Sequence, residues 1–405
     1  MSSLKKSAFF EFLNRREDPS YTSFVANSEL DADYIDWNGQ LLPMDHGDSE
    51  YEYRSIRHEC ALFDISPMRK IRISGRDAGL FLDILLTRPA SQLVPGHASY
   101  VVFCTEAGYL KDDAMVYKFS NEDYLLLPSD IDHCDYFSEL ASKRSLTNIT
   151  FTECTNTLVG IALQGPCAAA VADEMGFTEA KNLKPFEFRY LESSHGDVLV
   201  ARMGFTADLG YEFWMTPQQC KGFTAQIDSA RQELSLIIPG YGLSALEACR
   251  LEGGFVVAGW DFATELDPQP GFERTPFETG LGWLVDLEGR DFVGREALSA
   301  LRTNSRYLIR RISTDATGSL VDVPLIANVD NQILTIGIVN CSAWSWGLSS
   351  TIGNASIEPA FRDIEACWLD LDGKRFDVQL RRGGPHIQLA RRDQVPAPLN
   401  SLPVD

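Results

Sequence analysis

Residues 98–127 read Ala98-Ser-Tyr-Val-Val-Phe-Cys-Thr-Glu-Ala-Gly108-Tyr-Leu-Lys-Asp112-Asp113-Ala-Met-Val-Tyr117-Lys-Phe-Ser-Asn-Glu-Asp123-Tyr-Leu-Leu-Leu127. Three runs rich in β-branched and aromatic residues are separated by Glu106-Ala107-Gly108 and Ser120-Asn121-Glu122, which favour turns. The spacing predicts an antiparallel meander of strands 98–105, 114–119 and 123–127. A strand at 68–74 and a helix at 78–86, capped by Asp77, precede it, and a helix at 131–144 follows. The pattern then repeats, with a strand at 158–163, a helix at 167–174, strands at 198–202 and 211–215, and a helix at 217–234. These elements predict an α+β chain with two similar αβ halves and antiparallel sheets.

Outward from this repeat, the helix predicted at 242–253 carries Glu247, Arg250 and Glu252. A helix is expected at 51–62. The lead-in 1–50 is polar and holds a hairpin at 34–42 around Asn38-Gly39. The stretch 262–277, with Pro268, Pro270, Gly271 and Pro276, is a long loop. Beyond residue 305, short strands at 308–312, 332–339 and 366–371 predict a C-terminal β-barrel. The expected division is a lead-in at 1–50, interwoven αβ domains at 51–304 and the barrel at 305–405.

The chain has 405 residues, with 57 Asp and Glu against 36 Lys and Arg, a net charge of −21. Such a balance argues against nucleic acid as a partner, because phosphate neutralisation needs a basic face. It argues equally against an anionic membrane surface. No apolar run approaches the ~20 residues of a spanning helix. Glu11 and the charged run Arg15-Arg16-Glu17-Asp18 break the apolar N-terminus, so no export signal is expected. The nine cysteines include no CxxC pair, as expected of reduced core cysteines in a cytoplasmic protein. The six histidines lack metal-ligand spacing, and no metal is expected.

Two stretches carry chemistry. Asp112 and Asp113 enter an apolar strand together, and neighbours on an extended chain point to opposite faces. Asp113 therefore shares a face with Met115 and Tyr117, where one carboxylate can manage a proton. Arg202-Met-Gly204-Phe205-Thr-Ala-Asp208-Leu-Gly210-Tyr-Glu212-Phe-Trp214 has two glycines, four aromatics and two acids in a tight hairpin. Phe205 offers stacking area, and Glu212 can accept two hydrogen bonds from an amidine-like edge such as a pterin's.

From about residue 40 onward the sequence resembles the folate-binding aminomethyltransferase family, the T-protein of the glycine cleavage system and its relatives. The matching pieces come in order: Phe63-Asp-Ile-Ser66, Ile73-Ser-Gly-Arg-Asp-Ala78, 108–117, Leu163-Gln-Gly-Pro166, 202–212, Gly242-Leu-Ser-Ala-Leu-Glu-Ala-Cys-Arg-Leu-Glu252, Pro276-Phe-Glu-Thr-Gly-Leu-Gly-Trp283, Phe292-Val-Gly294 and 337–348. The resemblance implies a three-domain ring, two αβ domains and a C-terminal barrel, around a central tetrahydrofolate. It implies Asp113 as the catalytic acid and Glu212 as the pterin-binding one. Phe205, Met68, Tyr100 and Tyr117 match further positions of the cofactor pocket.

Three positions depart from the T-protein pattern: Pro67 stands for a histidine, Phe205 for a tyrosine and Leu246 for an arginine. Each change removes a polar group. With the lead-in Asn38-Gly-Gln-Leu-Leu-Pro43, they suggest the demethylase branch, which resembles dimethylsulfoniopropionate demethylase. The expected activity is therefore a tetrahydrofolate-dependent methyltransferase, moving a methyl group from a small S-, O- or N-methylated compound. Trp214, Trp283 and Arg274 of the 262–277 loop are its candidate substrate residues. A lipoyl carrier protein, itself acidic in that family, is not expected to dock on a chain of net −21. The alternatives are a glycine-cleavage aminomethyltransferase that uses such a carrier, and a non-catalytic folate-binding protein.

Overall fold

The computed structural model describes residues 4–14, 34–387 and 395; the charged run at 15–18 lies outside them. After one helical turn, α1 (Phe10–Leu13), the chain forms a hairpin of β1 (Tyr34–Trp37) and β2 (Gln40–Pro43). Its turn residues Asn38 and Gly39 have φ of 50° and 76°, as a two-residue turn matched to strand twist requires. Helix α2 (Ser49–His58) starts at Asp48, whose side chain accepts from Tyr51 N. The helix expected at 51–62 stops early, and Ala61–Asp64 forms strand β3, buried on both faces. A short run such as Cys60-Ala-Leu-Phe63 carries no periodicity, so helix and strand look alike there.

The meander forms as β5 (His97–Cys104), β6 (Leu110–Ser120) and β7 (Asp123–Pro128). With β4 (Ile71–Ser74) and β8 (Thr150–Glu153) it makes an antiparallel sheet in the order β5-β6-β7-β4-β8. The second antiparallel sheet uses β9 (Val159–Gln164), β10 (Phe188–Leu191), β11 (Val198–Ala201) and β12 (Gly210–Met215), in the order β10-β11-β12-β9-β3. Its edge strand β3 comes from before the first sheet, so the two αβ units are interwoven.

Helices α3 (Ala78–Leu85) and α4 (Cys134–Lys143) cover the first sheet, packing Phe81, Leu82 and Phe137 on Ile71, Ile73 and Val116. Helices α5 (Ala168–Glu174) and α6 (Cys220–Leu234) cover the second, packing Val171 and Phe223 on Ile161, Val200 and Phe213. The uncovered faces meet each other: Phe63, Ala162, Leu199 and Trp214 pack with Ala98, Tyr117, Leu125 and Leu127. Asp77 does not cap α3 as expected. Its carboxylate instead accepts from the backbone N–H groups of Thr147 and Asn148, tying α3 to the start of β8.

Helix α7 (Leu243–Gly253) leads toward the last domain, with α8 (Arg295–Leu301) on the way. Strands β13 (Leu308–Thr314), β14 (Pro324–Val329), β15 (Gln332–Ser345), β16 (Ser350–Ile357), β17 (Ala366–Leu371) and β18 (Lys374–Arg382) close a six-stranded barrel. Strand β16 escaped the sequence reading because nearly all of it is buried, leaving no alternation to detect. Among the described residues, no helix is long and apolar enough to cross a membrane.

One ionic cluster ties these parts together. Glu252 of α7 is fully buried and accepts from Arg57 of α2 (2.7 Å), Tyr53 Oη (2.7 Å) and Ser345 Oγ of the barrel (2.5 Å). Arg57 also donates to Thr206 O (2.8 Å) in the loop before β12. Removing one partner of such a buried pair leaves an uncompensated charge, at a cost of roughly 3–5 kcal/mol. Glu252→Gln is therefore expected to lose about 3 kcal/mol in urea denaturation, and Tyr53→Phe about 1 kcal/mol. A Glu252→Gln loss no larger than that of Tyr53→Phe would show that the cluster does not hold the domains.

Candidate functional site

The two uncovered sheet faces bring Glu212 and Tyr117 together. Glu212 lies on β12 and Tyr117 on β6, yet Tyr117 Oη donates to Glu212 Oε2 at 3.0 Å. The same hydroxyl lies 3.0 Å from Met203 Sδ. Burial pushes the Glu212 carboxyl up to about 7, against the opposing pull of Tyr117, Trp214 and Lys70. Trp214, two residues on, is on the same face of β12 and buried. Its ring lies over Gly160 of β9, where a Cβ would overlap the indole. The indole N–H has no hydrogen-bond partner of normal geometry, although it is close enough to draw the Glu212 carboxyl down.

The acid pair separates as strand geometry requires. Tyr100 Oη of β5 donates to Asp113 Oδ2 at 2.7 Å. Burial, with the nearby charge of Asp112, pushes Asp113 up to about 7. Asp112 points to the opposite face but not to solvent. It is fully buried, accepts from Ser129 Oγ (2.9 Å) and Asp113 N (2.8 Å), and pairs with His133 Nε2 (2.8 Å). Asp112 thus pins β6 to the start of α4, while Asp113 lies on the face of β6 that carries Met115 and Tyr117 into the core between the sheets.

The loop before β12 is shaped by Gln164. A Cβ on Gly204 or Gly210 would overlap the buried Gln164 amide, so both glycines are there for close approach. Thr206 Oγ1 donates to Gln164 Oε1 at 2.9 Å. Ala207 holds φ of 60°, a left-handed position that costs a residue with a Cβ about 1–2 kcal/mol. Phe205 is 39% exposed and stacks on Phe255, with ring centroids 5.1 Å apart.

Met68 is half-buried against the same inner core. Its turn is held from both sides. Lys70 Nζ donates to Ser66 O (2.9 Å) and Met68 O, and Asn38 of the β1–β2 hairpin donates to Pro67 O (2.9 Å). Trp37 Nε1 bonds Asp130 Oδ1 at 2.6 Å, seating the hairpin beside that turn. Sequence reasoning missed Lys70, Trp37 and Asp130. A signal existed for Lys70, since period-two alternation puts it on one face with Met68.

The three candidate substrate residues do not converge. Trp214 is a core side chain with one unpartnered N–H. Arg274 does not reach over a pocket: it is buried, donates to Gly271 O (2.9 Å) and Glu273 O (3.1 Å), and packs on Phe272 and Tyr307. It binds the 262–277 loop to the barrel through Ser356 Oγ. Trp283 is 67% exposed and lines a surface hollow of about 480 Å³ with Arg88, Leu93 and Asp286. Among the described residues no hydrogen bond or ring contact joins the three.

A family model described as the GCVT N-terminal domain matches residues 26–289, well over half of the chain. The chain belongs to the GCVT family. An aminomethyltransferase of Desulfitobacterium hafniense (strain Y51) is 28% identical over 352 residues, covering 86% of this chain and 90% of its own. One from Bacillus pumilus (strain SAFR-032) is 28% identical over 363 residues, covering 89% and 93%. The crystal structure of glycine cleavage system aminomethyltransferase T from Bartonella henselae superposes with a TM-score of 0.77, at 20% identity, over 95% of this chain and 99% of that one. The fold is accordingly that of this GCVT structure, two antiparallel αβ units and a closed barrel.

These relatives overturn two expectations. The demethylase reading fails because the relatives that match nearly the whole chain are named aminomethyltransferase. Its three supporting positions speak of packing: Leu246 is buried in the core between the sheets, Pro67 is buried in the turn held by Asn38, and Phe205 faces outward. The exclusion of a lipoyl carrier falls with it. Net charge describes the whole surface, whereas docking depends on a local patch.

The electrostatics give a pH test. A carboxyl whose folded value is raised binds protons more tightly when folded, so it takes stability away as pH climbs between the two values. For Asp113 that window runs from its ordinary value of 3.8 to about 7. Asp113→Asn should flatten the fall in stability across this window and leave the protein more stable than wild type at pH 8. Asp112→Asn should lose about 1–3 kcal/mol at every pH, because a buried acceptor is lost. Urea titrations at pH 4.5, 6 and 8 check both; equal and pH-independent losses would contradict the assignment of the two faces.

Proposed function

We propose that this chain is a tetrahydrofolate-dependent aminomethyltransferase that takes its one-carbon unit from a lipoyl carrier protein. The observation that carries the reading is the meeting of Glu212 and Tyr117 across two sheets, with Asp113 and Tyr100 facing the same space, in a chain whose full-length relatives are named aminomethyltransferase. Tetrahydrofolate suits the residues present. Glu212 is a half-buried carboxylate with capacity for a pterin's ring N–H and exocyclic amine, and the Trp214 N–H beside it lacks a partner. When bound, tetrahydrofolate supplies the nucleophilic nitrogen N5 that receives the carbon.

The chain's own residues then have distinct tasks. Glu212 fixes the pterin edge, and Tyr117 holds the Glu212 carboxylate in place. Met68 and Tyr100 line the pocket. Asp113, poised near neutrality, takes up the proton released at N5 and can return it to the departing amine. Tyr100 keeps the Asp113 carboxylate aimed. With tetrahydrofolate bound, its nitrogens would take the methylene carbon from the carrier's sulfur and amine, leaving a free thiol and ammonia. The domains proposed to carry this are the αβ pair at 51–304, with the barrel at 305–405 closing against them.

Ammonia release is expected when the protein is given tetrahydrofolate and a lipoyl carrier protein bearing the aminomethyl group. No ammonia, with methyl transfer from a carboxylated sulfonium or betaine instead, would overturn the proposal. Asp113→Asn should lower kcat roughly 10²–10⁴-fold and leave tetrahydrofolate affinity within a few-fold. Glu212→Gln should weaken that affinity by about 1.5–3 kcal/mol in calorimetry, the worth of a charge-assisted bond.

A further inference from the structure

Lys70 is a fully buried cation without a counter-ion. Its ammonium donates to two backbone oxygens, Ser66 O and Met68 O, and lies 5.0 Å from the centroid of the Trp214 ring. Among the described residues no carboxylate is within salt-bridge distance of it. Removing such a charge from water is costly unless something gains from its presence. Two carbonyls and an aromatic face recover part of that cost. The remaining neighbour on the Trp214 face of β12 is Glu212, the next residue but one.

We propose that Lys70 is a positioning residue of the pterin pocket: it clamps the Ser66-Pro67-Met68 turn, and its charge keeps Glu212 ionised for the pterin edge. The proposal rests on the pterin-binding role given to Glu212 above. The groups that act on Lys70 are Glu153 and Cys154 at the end of β8, Asp64 of β3, and Arg69, which opposes them. Those that act on Glu212 are Tyr117 of β6, Trp214 and Lys70. Tyr117 and Trp214 oppose the burial of the carboxyl first, and Lys70 is the only cation in that second set. Burial lowers Lys70 itself to about 7 and raises Glu212 to about 7, so both groups change charge near neutrality.

Tetrahydrofolate affinity, measured anaerobically by calorimetry from pH 5.5 to 9, tests this. In the unaltered protein affinity should rise with pH as Glu212 ionises and level off above about 8. Lys70→Gln keeps N–H donors for the two carbonyls but removes the charge. It should move the midpoint of the rise upward by about half to one pH unit, roughly three- to tenfold weaker binding at pH 7, with near-equal affinity at pH 9. Lys70→Met should show the same shift. A loss by the same factor at every pH would mean a merely structural role and would overturn the proposal, as would an unmoved midpoint.

Glu212→Gln separates this from the reading it rests on. If that variant binds tetrahydrofolate like the wild type, the pterin-edge role fails; if it binds weakly and without pH dependence while the Lys70 variants leave the midpoint in place, only Lys70 fails. The coupling also has a readout that needs no Lys70 variant. In Cε-labelled lysine NMR, the resonance that titrates near neutrality should move to lower pH in Glu212→Gln. An unchanged titration there would overturn the proposal.

Discussion

A carboxylate deprived of water must be answered by the protein, and Glu252 is answered from three directions. Arg57 reaches it from α2, Tyr53 from the same helix, and Ser345 from the barrel. The barrel thus owes its seat to a charge that would be ruinous if exposed to half a shell of partners. A neighbouring cluster repeats the device: Arg250 of α7 is fully buried and pairs with Asp261 at 3.0 Å, and Asp261 accepts from Asn354 of β16 at 2.7 Å. One eleven-residue helix therefore carries the ionic joints between the αβ pair and the barrel. Such joints are directional, unlike apolar contacts, and so they fix how the domains face one another.

The same low-dielectric interior raises two further acids. Asp113 and Glu212 lie where the two sheets meet, and both are raised to about 7 by burial. Neither has an arginine or lysine in an ion pair, in contrast to Glu252. The two sets of acids are held differently. Glu252 and Asp261, which join domains, pair with arginine; Asp113 and Glu212 accept from the hydroxyls of Tyr100 and Tyr117. A hydroxyl donor orients a carboxylate without fixing its charge, which leaves the proton free to move.

Much of this was legible in the sequence. Alternation located the meander, and the opposite faces of Asp112 and Asp113 followed from strand geometry alone. The Asn38-Gly39 turn and the paired glycines at 204 and 210 marked real backbone demands. Legibility failed where burial is complete. Strands β3 and β16 have little alternation because both faces are covered. Arg57, Asp112 and Arg274 find partners that lie 195, 21 and 82 residues away. A partner at that distance leaves no local pattern, so a lone charge in the sequence looks solvated.

The substrate class was hidden for a related reason. Counting polar groups at Pro67, Phe205 and Leu246 assumes that each faces the reacting molecule. Leu246 instead packs on Ala245 and Tyr241 in the core shared by the sheets, and Phe205 lies against Phe255 at the exposed end of its loop. Pro67 is held by Asn38 through its carbonyl, a group present whatever the side chain. What faces the inner space is set by the strands: Tyr100, Asp113, Met115 and Tyr117 from one sheet, Glu212 and Trp214 from the other. A change that falls outside this set alters packing at the margin of the site while the carboxylates and their tyrosines stay in place. Helix α7 packs Ala245, Leu246, Ala248 and Cys249 into that shared core, and its buried Glu252 and Arg250 tie the same core to the barrel.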